Sequence, residues 1–142
     1  MKTIGEKQRG IEYIYVMLFI VSSAFIIVGI ETVKVISSFL MVIIGIILVI
    51  WSIWTYIDIV RTPKVIIEYN KMDSTIILKK SIIISIISIK DVSYIKARNK
   101  GVTYKWGKII IETSGEKYQC NYVKDCEEVA KTITKLMYKN EL

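Results

Sequence analysis

Two uncharged stretches constrain this chain more than any other feature. Tyr13 to Ile30 gives eighteen consecutive residues without a charge, and Val35 to Ile57 gives twenty-three more. As helices they reach about 27 and 34 Å, against a hydrocarbon core of about 30 Å. Their Ile and Val content disfavours helix in water, but in lipid every backbone group must bond within its own segment, which selects helix. A chain of 142 residues has too little other mass to wrap two such helices as a soluble core. A cleaved signal peptide is a poor match for the first stretch. Its apolar run exceeds the usual ~7–15 residues, and Ser22, Ser23 and Ala24 are followed by more Phe and Ile.

Glu31, Thr32, Val33 and Lys34 alone separate the runs, so the expectation is an antiparallel hairpin with both ends on one side. Lys and Arg fix which side. Residues 1–10 carry three, the connecting loop one, and residues 61–142 sixteen. The positive-inside rule therefore predicts both termini in the cytoplasm, for a multi-pass protein of the plasma membrane. Tyr13 and Tyr15 open the first span while Trp51, Trp54 and Tyr56 close the second, which assigns these five as anchors at the cytoplasmic interface. Gly29 opposite Ser37, and Ser22, Ser23 or Ala24 opposite Gly45, would let the helices approach closely. Neither span holds a charge, which argues against a pump, a proton-coupled transporter or an intramembrane protease.

The period changes after Arg61-Thr62-Pro63. Six short runs rich in Ile, Val, Tyr and Thr read as strands: Lys64–Tyr69, Thr75–Lys79, Ser81–Ile87, Val92–Ala97, Lys108–Thr113 and Lys117–Tyr122. Asn70–Ser74, Asn99–Gly101 and Ser114-Gly115 supply turns. The Ser81–Ile89 run is apolar throughout and reads as a strand buried on both faces. Asp125 and Glu128 have capping-box spacing, and Val129, Ile133, Leu136 and Met137 form one stripe of a closing helix. The expected division is thus 1–60, tail and hairpin, and 61–142, a small cytoplasmic α+β domain.

Chemistry-bearing motifs are sparse. The chain has no His, which removes the commonest general base and zinc ligand. Its two thiols, Cys120 on a strand and Cys126 at a helix start, read as buried and structural; of the two, the helix start makes Cys126 the more reactive. Asp91, Glu112, Glu116, Asp125, Glu127 and Glu128 show no spacing that calls for a metal or an acid–base pair. No phosphate-binding glycine loop or nucleophile elbow occurs. The expectation is a protein that is not an enzyme and uses no cofactor. The closing Lys139-Asn140-Glu141-Leu142 echoes a luminal retention signal, which a cytoplasmic C-terminus would make a coincidence.

Charge is the informative remainder. Residues 1–60 sum to zero, and the net +7 sits on residues 61–142. Lys96, Arg98, Lys100, Lys105 and Lys108 cluster about a hairpin interleaved with Tyr104 and Trp106, which makes these seven the candidate contact for anionic phospholipid headgroups or a protein partner. Nucleic acid is not expected, since no helix-turn-helix or aromatic RNA-binding strand is visible.

Three segments resemble the bacterial pleckstrin-homology-like membrane proteins. Ile89-Lys90-Asp91-Val92-Ser93-Tyr94-Ile95 is similar to that family's I-x-x-x-D-I-x-x-I crossing. Trp106-Gly107-Lys108-Ile109-Ile110-Ile111 is similar to its aromatic-glycine strand, and Tyr122-Val123-Lys124-Asp125 to its entry into the last helix. Asn70–Ser74 departs from the family's early hairpin. The resemblance implies an antiparallel β-sandwich or barrel with a C-terminal capping helix behind the hairpin. It also permits a role in resistance to membrane-active peptides; separate expectations are an accessory subunit of a larger membrane complex and a homo-oligomer.

Overall fold

The computed structural model describes residues 1–32 and 36–140. The chain divides into two units, one of residues 9–61 and one of residues 1–8 together with 62–142.

The first unit is two helices, α1 (Ile11–Glu31) and α2 (Ile36–Arg61). Both are long and apolar enough to cross a membrane. In each, only 11% of the most apolar eighteen residues is buried within the chain, whereas the core helix of a soluble fold is mostly buried. Apart from Ile11 and Ile59, what they bury is a seam of small residues. A Cβ on Gly45 would stand 3.2 Å from the Ser22 carbonyl oxygen and 2.7 Å from Ile26. Gly29 lies equally close to Ser38 and Val42, so the expected contact shifts by one residue from Ser37. The buried Ser52 hydroxyl donates across the seam to the Tyr15 carbonyl at 2.8 Å, and Ser22 satisfies its own hydroxyl on Leu18. Val33, Lys34 and Val35, which hold the expected loop and the start of the second span, lie outside the described residues.

The second unit begins before the helices do. Residues 2–6 form strand β1 (Lys2–Glu6), which pairs antiparallel with β2 (Val65–Asn70) through Lys2–Tyr69, Thr3–Glu68, Gly5–Ile67 and Glu6–Val65. The division at residue 60 is therefore corrected. The N-terminal segment is not a tail, because its backbone completes the edge of a sheet. β3 (Thr75–Leu78) and β4 (Ile82–Ser85) finish that sheet in the order β1-β2-β3-β4. A 3-10 turn, Ile86–Ser88, leads into a second sheet, β5 (Ile89–Asn99), β6 (Val102–Thr113) and β7 (Lys117–Val123). Helix α3 (Cys126–Asn140) follows. Beyond β1's ladder, a bridge from Lys7 to Val123 and hydrogen bonds from Gln8 N to Tyr122 O and from Lys124 N to Glu6 O tie the two sheets together at one corner.

The Ser81–Ile89 run is not buried on both faces. Ile84, Ile86 and Ile89 enter the core, but Ile83 and Ile87 are exposed, the latter by 83%. An antiparallel sheet can leave one face to solvent, and here the run is interrupted by the crossover turn. The core itself is the inner faces of both sheets (Ile66, Ile67, Ile76, Leu78, Ile109, Ile111) closed by Cys126, Val129 and Ile133 of α3. Burying each such aliphatic side chain contributes about 1.5–3 kcal/mol. Leu136 and Met137 pack against this core from its margin.

Candidate functional site

The β5–β6 hairpin turns at Asn99-Lys100-Gly101-Val102. Asn99 pairs with Val102, and the two residues between them, Lys100 at φ 46° and Gly101 at φ 82°, are left-handed. Two consecutive positive φ values define the tight turn that matches strand twist, and Gly101 supplies one of them without strain. Below the turn the ladder slips. Arg98 pairs with Thr103 and Lys96 with Gly107, so Tyr104, Lys105 and Trp106 bulge opposite the single residue Ala97. The bulge turns the two rings toward each other, their centroids 6.1 Å apart and inclined by 30°. Gly107 is required just beneath it, because a Cβ there would lie 2.1 Å from the Ile95 carbonyl oxygen.

Register sorts the seven expected contact residues into three groups. Lys96 pairs with Gly107 on the face that carries buried Ile109 and Ile111, and there its ammonium meets Glu127 of α3 at 2.5 Å. Glu127 also takes Lys131 at 2.8 Å. With Lys131 first and Lys96 second, these cations hold the Glu127 carboxyl down at about 2, and the bonds to it raise both lysines. Lys96 is thus part of the β5–α3 contact and is withdrawn from the candidate surface, since its charge is already answered. Lys108 pairs with Ile95 and projects from the opposite, outer face. Arg98, Lys100, Lys105 and Tyr104 remain exposed at the tip, with Trp106 half-buried beneath them. An apolar recess of about 240 Å³ lies beside Trp106, bounded by Ile95, Asn121 and Tyr122.

The location of that tip follows from the ladders. Gly107 pairs with Val123, Val123 bridges Lys7, and Gln8 donates to Tyr122. Gln8 and Thr62 are the residues at which the chain leaves this unit and returns to it. The tip therefore belongs to the end of the domain from which the helices emerge in sequence. The β3–β4 turn belongs to the same end, since Lys79 N donates to Ile66 O, one residue from the Glu6–Val65 pair. Lys79 and Lys80 are exposed there, both left-handed. Sequence reading missed them. The available signal was the up-and-down order itself, in which alternate turns fall at the same end.

Tyr15 and Trp51, expected as interface anchors, are brought together edge to face at 6.1 Å. Tyr13, Trp54 and Tyr56 are exposed, Trp54 by 77%. Both cysteines are buried and free, as read from the sequence. Burial pushes the Cys120 thiol up to about 11, against the opposing charge of Lys79. Burial likewise raises Cys126, outweighing Lys96 and the helix start, and its Sγ donates to the Lys105 carbonyl at 3.5 Å. Asp125 is left-handed at φ 46°, and its carbonyl accepts the Val129 N–H. Among the described residues no group of three or more Cys, Asp or Glu is arranged to hold a metal ion. Glu141 and Leu142 of the retention-like tetrapeptide lie outside the described residues. Compared with family models, curated proteins and solved structures, the chain matches none.

Proposed function

We propose that this is an integral membrane protein of pleckstrin-homology-like fold whose basic domain end binds anionic phospholipid at the cytoplasmic leaflet, without catalysis. The single observation that carries the reading is the coincidence of charge and tether. Arg98, Lys100 and Lys105, with Tyr104 and Trp106, share the end of the domain at Gln8, and only two residues separate Gln8 from the start of α1. Three residue steps, about 11 Å of chain at most, connect Gln8 to the first residue of α1. Each basic side chain near an anionic leaflet gains about 1 kcal/mol, and amphipathic rings favour the headgroup layer. Lys79 and Lys80 extend the same charge. The fold assignment is supported by the four-stranded and three-stranded antiparallel sheets and the closing helix. The β1–β2 pairing supports the shared side of both termini, because strands on opposite sides of a bilayer could not form one ladder.

The test places an environment-sensitive dye on Asn99→Cys in the full chain, reconstituted in lipid nanodiscs. Emission shifts to the blue when phosphatidylglycerol replaces a share of phosphatidylcholine, and the shift fades as salt rises. Replacing Arg98, Lys100 and Lys105 by Ala removes it. The same emission in both lipids would overturn the reading.

A further inference from the structure

A recess in the second unit lies at the end opposite the basic tip. Its volume is about 640 Å³, within the range of small-molecule sites. Three lysines from three elements converge on it: Lys2 of β1, Lys71 of the β2–β3 turn and Lys139 of the last turn of α3. Among the described residues no carboxylate stands at ion-pair distance from any of them. Three ammonium groups without an ion-pair partner among the described residues repel each other around one recess and focus a positive potential into it. Thr3, Ser74 and Thr132 also line it, the Thr132 hydroxyl donating to Glu128 O, while Ile4 and Leu136, packed against the core, add apolar lining.

We propose that this recess binds a water-soluble, multiply charged phosphate compound, the phosphate oxygens meeting the three lysines and the apolar body resting on Ile4 and Leu136. Charge selects the anion, since ammonium groups answer phosphate as point charges. The recess also lies apart from the basic tip. Lys2 pairs with Tyr69, four residues along β2 from the Glu6–Val65 pair beside the tether, which is about 13 Å of strand. This site shares no residue with the lipid-facing tip, so either can fail without the other.

Pyrophosphate is titrated calorimetrically into the full chain held in phosphatidylcholine nanodiscs. One saturable site is expected. Charge-assisted bonds are strong enough that Lys71→Ala and Lys139→Ala each weaken it about tenfold, with unchanged melting temperature, while Arg98→Ala leaves it unaltered. Adding phosphatidylglycerol to the discs leaves the affinity within twofold. Absence of saturable binding, loss with Arg98→Ala but not with the recess lysines, or competition by phosphatidylglycerol would overturn the proposal.

Discussion

Lys96 shows how a side chain's use depends on which face of a strand it occupies. In sequence it is one more cation in a basic run, yet register turns it inward to Glu127, where Lys131 joins it. The Glu127 carboxyl is held at about 2, below its ordinary 4.5, chiefly by Lys131 and then Lys96. A depressed carboxyl stabilises the fold fully above its unfolded value, and that contribution disappears as pH falls toward the folded one. The window is therefore pH 4.5 down to 2. Glu127→Gln removes the linkage while the remaining carboxylates titrate in both proteins. Thermal unfolding of the full chain in detergent should give the wild type a higher Tm at pH 6, the gap closing between pH 4.5 and 2. A gap independent of pH contradicts the assignment. The group is partly exposed, so the effect is modest and salt-sensitive.

Most strands and the last helix were legible in the sequence because their residues are consistent with their neighbours. Ile and Val runs end at Asn, Gly and Ser turns, and Val129, Ile133, Leu136 and Met137 recur at helical spacing. The β5–β6 slip was not legible. Nothing in Tyr104-Lys105-Trp106 announces that three residues will oppose one, since a bulge is fixed by the pairing of two strands and not by either alone. Gly107 carries the trace of it, as the residue over which Ile95 closes. Gly107→Ala sets a Cβ against that backbone carbonyl and should destabilise the domain by about 2–4 kcal/mol, read as a loss of melting temperature. Gly101→Ala should cost less, about 1 kcal/mol, since only conformational strain is added. Equal effects would contradict the packing described at Gly107. The apolar Ser81–Ile89 run misled for a related reason: composition alone does not say that a turn will expose Ile83 and Ile87.

At the scale of the molecule, the feature that sequence reading could not supply is the role of residues 1–8. Five residues with one strongly apolar side chain, Ile4, carry no strand signal of their own. They become a strand because β2 offers an edge and the corner at Val123 holds their far end. The helical pair consequently interrupts a domain in chain order, between β1 and β2, instead of preceding one. The consequence for experiment is direct: a fragment of residues 61–142 lacks an edge strand and its corner bonds, and is expected to unfold. Replacing residues 9–61 by a short Gly/Ser linker retains β1 and should yield a soluble, folded chain, with the dispersed amide spectrum of a β domain. The decisive measurement is flotation of that hairpin-free chain with vesicles. It should rise with vesicles containing phosphatidylglycerol, remain behind with phosphatidylcholine alone, and be released by high salt. A folded chain that floats equally with both, or with neither, would contradict a basic domain end that recognises the anionic leaflet.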